Sequence, residues 1–242
     1  MVMRLDKLIS NCGFGSRKEV KAIMKQGLVT VDGQVVKKPE VHIDPTCQKV
    51  CVGEHIIEYE KYSYLMMNKP MGVISATYDE EHETVVDLLE ERYQWADVFP
   101  VGRLDKDTTG LLILSNDGGF AHRALSPKKH VAKVYHAVLD KAITDKEIKA
   151  FEEGIVLDDD FKTMPAGLKS LNGNERLEVE VIIREGKFHQ IKRMFEALEV
   201  KVLELKRVSF AGIALDESLG LGESRRLTDC ELEIISNLLS KD

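Results

Sequence analysis

The chain has 242 residues, 43% apolar and 31% charged, with a net charge of −7. That apolar share supports a sizeable core and excludes a disordered chain; the length suits one large domain or two smaller ones. With no apolar run of about eighteen residues and no apolar stretch behind the opening MVMRLDKLIS, neither a membrane span nor a secretory leader is expected, and a cytoplasmic protein is.

The N-terminal segment is basic. Residues 4–38 hold eight Lys/Arg (Arg4, Lys7, Arg17, Lys18, Lys21, Lys25, Lys37, Lys38) against three acids, a balance of +5 that leaves −12 on the remainder. A basic module on an acidic body points to a polyanionic partner for the module. A short helix is expected around Leu5, Leu8 and Ile9, followed by the turn 13-GFGS-16. The string 16-SRKE-19 is a capping box, so a second helix starts at Arg17 and ends near Gly27, a natural left-handed terminator. Val20, Ile23 and Met24 share its apolar face. Arg17, Lys21 and Lys25 recur every four residues on another, with Lys18 beside them. A solvated face is the ordinary fate of such a stripe, but the scarcity of interleaved acids favours phosphate contact. In 28-LVTVDGQVVKK-38, two β-rich runs flank Asp32-Gly33, which suits a two-residue type I′ hairpin.

The order helix, turn, basic helix, hairpin over roughly residues 3–58 resembles the S4 RNA-binding domain. The resemblance implies that the two helices and their loop bind structured RNA, through Arg4, Lys7, Arg17, Lys18, Lys21 and Lys25. Further on, His42, Cys47, Cys51 and His55 supply enough donors for a zinc ion, but their spacing matches no established zinc pattern. Hairpin strands carrying small thiols and exposed imidazoles are the plainer reading, and no metal is expected.

Composition changes at Lys61–Tyr64, so the boundary is placed near residue 60: residues 1–60 as the RNA-binding unit, 61–242 as the main domain, joined by the short 58-EYEK-61. In the main domain the pattern predicts helices at Thr84–Arg92, Gly119–Leu125, Asp145–Glu153, His189–Leu198 and Asp229–Leu239, two of them opened by the capping boxes 144-TDKE-147 and 228-TDCE-231. Strands are expected at Leu65–Asn68, Val98–Val101, Leu111–Ser115, Lys133–Leu139, Leu177–Arg184 and Val200–Val208. The alternation in 177-LEVEVII-183 and turns such as 172-NGN-174 suggest antiparallel pairing, hence an α+β fold with a mixed, mainly antiparallel sheet.

The stretch 101-VGRLDKDTTGLLILSNDG-118 places Asp105 on a bend between two apolar strands, two residues after Arg103. A glycosidase would need a second opposed carboxylate. A metallohydrolase would need clustered ligands, and His122, His130, His136 and His189 are dispersed. The loop lacks the Walker pattern. A lone Asp nucleophile or base, or an Asx-turn with no chemical role, both stay open.

The string GRLDKDTTGLL resembles the signature of the RNA pseudouridine synthases that act on small- and large-subunit rRNA. NKPMGVISA (68–76), KVYHAVL (133–139) and EGKFHQIKRMFEAL (185–198) resemble three further motifs of that group, in the same order, so the likeness runs across almost all of residues 62–242. It implies that Asp105 is the essential catalyst, that Tyr135 stacks on uracil and handles the C5 proton, and that Lys192 is the cation paired with the Asp. Arg193 beside it competes for that pairing. Ile191 is implied to pack near the base, and Arg103 to fill the space left by the flipped uridine. No cofactor is implied, because the reaction is an isomerisation. FHQIKRMF is most similar to the 16S-directed members, so the expected partner is 16S rRNA or a small-subunit assembly intermediate, and the enzyme is expected to be a monomer. The alternatives are a 23S rRNA hairpin uridine, a non-catalytic S4-type assembly factor, and a carboxylate hydrolase with a second acid facing Asp105.

Overall fold

A computed structural model describes residues 2–57, 59–173 and 177–240. The N-terminal unit runs β1 (Met3–Arg4), α1 (Leu5–Asn11), α2 (Arg17–Lys25), β2 (Val29–Val31), β3 (Gln34–Val35), β4 (His42–Ile43), β5 (Val50–Val52) and β6 (His55–Ile56). The capping box forms as the sequence requires: Glu19 accepts from the Ser16 amide at 2.7 Å, and Ser16 Oγ accepts from the Glu19 amide at 3.4 Å. Helix α2 ends at Gly27 with φ of 79°. Asp32 and Gly33 both take positive φ, and Val31 pairs with Gln34, the geometry of the expected hairpin. Leu5, Leu8, Ile9, Val20, Met24, Val29, Val50 and Val52 make a core of their own. Among the described residues no three His, Cys, Asp or Glu side chains are placed to hold a metal, so His42, Cys47, Cys51 and His55 do not converge.

The main domain follows with β7 (Tyr64–Lys69), α3 (Glu91–Trp95), β8 (Phe99–Pro100), β9 (Thr109–Ser115), α4 (Gly118–Leu125), β10 (Lys133–Leu139), α5 (Asp145–Glu153), β11 (Gly167–Ser170), β12 (Glu178–Ile183), α6 (Gln190–Glu196), β13 (Val202–Phe210), β14 (Ile213–Ala214), β15 (Ser224–Arg226) and α7 (Asp229–Ser240). The main sheet has the order β11-β12-β10-β13-β9-β7-β15, with β14 beside β13 and β8 beside β9. Its ladders are antiparallel except where β13 meets β9, parallel over Lys206–Thr109 and Arg207–Gly110. Strands β7 and β9 are covered on both faces. Leu65, Met67, Leu112 and Leu114 join the core beneath α5 and α6, whereas Met66, Leu111 and Ile113 join the one beneath α4 and α7. This is why their sequences are apolar throughout rather than alternating. No helix among the described residues is long and apolar enough to cross a membrane.

One expected helix is corrected. Residues 84–90 are turns, and the helix there is the short α3. Thr84 and Asp87 form the reciprocal cap, with the Thr84 amide and hydroxyl both 2.8 Å from Asp87 Oδ2, but no helix follows. The Val85 amide instead donates to the Ile74 carbonyl, and Val85, Val86 and Leu89 are all drawn into the core. Of the turn 172-NGN-174, Asn174 lies outside the described residues, as does Glu58 of the linker; the flanking β11 and β12 pair antiparallel as expected.

Candidate active site

Asp105 sits on the loop between β8 and β9. Its shape is fixed from below by residues 69–75, the continuation of β7. Lys69, fully buried, donates from Nζ to the carbonyls of Pro70 at 2.9 Å, Thr108 at 3.0 Å and Lys106 at 3.5 Å. The Gly72 amide reaches the Lys106 carbonyl at 2.8 Å. Ser75 Oγ donates to the Leu104 carbonyl and accepts from the Leu104 amide, both at 3.0 Å. A turn closes the loop, from the Thr108 amide to the Asp105 carbonyl at 3.1 Å. The loop then enters β9 at Gly110, where φ is 98° and a Cβ would lie 2.3 Å from the Arg207 carbonyl oxygen. Only glycine permits that approach. Arg207 is buried and donates from Nε to the Leu111 carbonyl at 2.8 Å.

Around the Asp105 carboxylate the fold gathers two cationic or potentially cationic groups, one from α6 and one from the residue that caps it. Lys192 Nζ lies 3.6 Å from Asp105 Oδ2 and donates to Asp107 Oδ1 at 2.5 Å. His189 Nε2 lies 3.7 Å from Asp105 Oδ1. The hydrogen bond from Lys192 holds the Asp107 carboxyl below the usual carboxylate range, against an upward push from burial. Burial brings Lys69 down to about 8, although Asp105 and Asp107 both pull it upward. Tyr135 and Ile191, 7% and 4% exposed, belong with Leu104 to the apolar cluster on this side of the sheet.

The sequence-based residues therefore separate into groups. Asp105 and Lys192 are in direct contact, and Tyr135 and Ile191 share the adjoining apolar cluster. Arg103 is exposed on the same loop. Arg193 is not the partner of Asp105: its guanidinium binds Asp158 and, at 2.8 Å, Asp159, because it points away from Lys192 on α6. In the N-terminal unit, Arg17, Lys18, Lys21 and Lys25 are exposed on α2, with no ion pair among the described residues. Arg4 and Lys7 are occupied by Asp6 at 2.7 Å and Asp97 at 3.1 Å. Sequence reasoning passed over Lys69, Ser75, Asp107 and the placing of His189. A lysine closing an apolar strand ahead of proline reads as surface, and only the likeness of NKPMGVISA to a motif marked that segment.

Known proteins resemble the chain along most of its length. Residues 63–197 match the RNA pseudouridylate synthase family, and residues 3–46 match the S4 domain. The chain is 46% identical over 235 residues to an "Uncharacterized RNA pseudouridine synthase YtzG" of Bacillus subtilis (strain 168), covering 97% of this chain and 98% of that one. It is 36% identical over 231 residues to ribosomal small subunit pseudouridine synthase A of Escherichia coli (strain K12), covering 95% and 98%. A crystal structure described as a pseudouridylate synthase superposes with a TM-score of 0.68 at 34% identity, covering 96% of this chain and 99% of that one. A signature loop braced by the first strand, a lysine against its aspartate and these likenesses along nearly the whole length lead to one conclusion: the chain belongs to the RNA pseudouridine synthases and carries an S4 domain at its N-terminal end.

Proposed function

We propose that this RNA pseudouridine synthase isomerises a uridine of 16S rRNA, with Asp105 as the catalytic carboxylate. The observation that carries the reading is the contact of Asp105 with Lys192 at 3.6 Å on a loop clamped from beneath by Lys69 and Ser75. The reaction exchanges the N1–C1′ bond of uridine for a C5–C1′ bond; C5 loses a proton and N1 gains one, so atoms and electrons balance within the substrate. A uridine in a stack is out of reach of a carboxylate in such a cleft, so the base leaves its stack first. Arg103, exposed on the same loop, takes the vacated space and a phosphate. Tyr135 and Ile191 hold the uracil while it turns, and the Tyr135 hydroxyl handles the C5 proton. Lys192, hydrogen-bonded to Asp107, stands beside the Asp105 carboxylate and fixes its direction.

Residues 1–60 act as the RNA-binding unit and 61–242 as the catalytic unit, a division supported by their separate cores. The α2 stripe meets phosphates, and the enzyme works in the cytoplasm as a monomer. Similarity to the small-subunit enzyme supports 16S over 23S rRNA. The test is tritium release from 5-³H-uridine transcripts of each rRNA. Asp105→Asn is expected to abolish release while RNA binding persists; activity within about tenfold of the parent, or roughly 1.4 kcal/mol in barrier, would remove Asp105 from the mechanism. Release from the 23S transcript alone would reassign the substrate.

A further inference from the structure

Phe188 is the anomaly beside this site. It is 74% exposed, the residue after Lys187 and just before α6. A single exposed apolar side chain needs no explanation by itself. This one is not loose. Its ring is stacked on the His189 imidazole, centroids 3.8 Å apart and planes 17° from parallel. His189 holds a left-handed backbone, φ of 48°, which turns the chain into α6. The same imidazole reaches Asp105 at 3.7 Å through Nε2. One imidazole thus meets both the carboxylate, through Nε2, and the phenyl ring, through its face, and most of the phenyl surface remains open to solvent. Cations stand nearby in the chain and at the site: Lys187 directly before Phe188, Lys192 beside Asp105, and Arg103 exposed on the loop that carries Asp105.

We propose that Phe188 is a stacking platform for an unpaired nucleobase that flanks the reacting uridine. An aromatic face among positive charges is the arrangement that single-stranded nucleic acid binds, since every base has a π-face and every phosphate a charge. The His189 imidazole stands between the two contacts, its Nε2 toward Asp105 and its face on Phe188, so the platform takes a neighbour of the uridine and not the uridine itself, which meets Tyr135 and Ile191. A flanking base held there keeps the strand open on one side of the flipped nucleotide. The contact adds to the affinity for RNA whose target lies in a loop and adds nothing for a target flanked by stable pairs.

This rests on Asp105 as the reacting carboxylate, which the Asp105→Asn assay decides separately. The test uses the full chain with naked 16S and 23S transcripts, the parent protein choosing between them, and then a synthetic hairpin around the modified uridine with single abasic nucleotides on either side. Stacking on one base is worth about 1–3 kcal/mol, so Phe188→Ala is expected to raise KM by about 5-fold to 150-fold, more than it lowers kcat. Phe188→Leu keeps the apolar bulk and should lose as much, whereas Phe188→Trp should recover the parent KM. One abasic position should cost as much as Phe188→Ala, and combining the two should cost no more than either. An Ala variant within about twofold of the parent in KM, a Leu variant equal to Phe, or losses that multiply at every flanking position would overturn the proposal. So would an effect seen only on a ribonucleoprotein particle and not on naked RNA, which would assign Phe188 to a protein contact.

Discussion

Two adjacent cations on α6 have different work. Lys192 turns toward Asp105 and Asp107, while Arg193 turns its planar fork toward Asp158 and Asp159. A lysine is a point charge that two carboxylates can share, whereas an arginine fork suits a pair of oxygens in one plane. Lys192→Ala should lower the single-turnover rate more than RNA affinity. Arg193→Ala should instead loosen the loop at 158–160 and lower the thermal midpoint only slightly, as loss of an exposed pair does, with a smaller loss of rate. The opposite ranking in rates would exchange their roles. Arg4 shows the same economy in the N-terminal unit. Burial pushes Asp6 upward, yet the two hydrogen bonds from Arg4 leave its carboxyl below the usual value. A carboxylate lowered on folding contributes stability that is present above its unfolded pKa, about 3.9, and is lost as pH falls through the folded value. In Arg4→Ala burial loses its main opponents, and only the Lys7 amide and the Arg17 charge still hold the carboxyl down, so the variant should be destabilised at neutral pH and its deficit should shrink as pH approaches about 4. Thermal melts of both proteins between neutral and acid pH check this, and parallel curves would mean that Arg4 is available to RNA.

At the scale of elements, the loop bearing Asp105 depends on the segment following β7 more than on its own residues. Lys69→Met keeps the volume and removes three donors, leaving the Lys106 and Thr108 carbonyls without them. Misplacing a reacting group by about 1 Å can cost about a hundredfold, and a rate loss of that order with RNA affinity retained is the expected result. Lys69 also has a pH signature. Its native value near 8 lies below the unfolded one of about 10.4, so the unfolded chain binds more protons in between, and stability should rise across that window. Lys69→Met should remove that part of the rise. The elements themselves were largely legible. Capping boxes marked α2, α5 and α7, and alternation marked β12. The strands at 65 and 111 were visible as apolar runs, although period alone could not say that both faces are covered. Thr84–Arg92 misled because a local pattern could not show that the Val85 amide bonds to the Ile74 carbonyl, eleven residues back. Asp105, Tyr135, Ile191 and Lys192 were readable through the motifs that contain them. Phe188 was not, because the residue type says nothing about which ring it lies against.

For the whole molecule, the cores divide the chain, while ion pairs among the described residues join its parts, Lys7 with Asp97 and Glu60 with Arg226. Binding and chemistry should therefore separate in experiment. Charge-neutral replacement of Arg17, Lys18, Lys21 and Lys25 together should flatten the slope of log affinity against log salt by about three to four units, since each phosphate contact contributes roughly one. The single-turnover rate at saturating RNA should stay near that of the parent, because all four lie on α2, in the N-terminal unit with its own core. An unchanged slope would make the stripe an ordinary solvated surface. A collapsed saturating rate would mean that the N-terminal unit helps to shape the catalytic cleft.

The parallel contact of β9 with β13 has a consequence for how the enzyme comes into being. Leu111 and Arg207, joined by a buried hydrogen bond, are 96 positions apart. A ribosome adding about 5–20 residues per second needs roughly 5–20 s to make the second strand after the first. The S4 unit, synthesised first and with its own core, is complete well before that. During its own translation the nascent polypeptide is thus an RNA ligand before it is a catalyst, and a chain stalled short of β13 should grip rRNA while leaving every uridine unchanged.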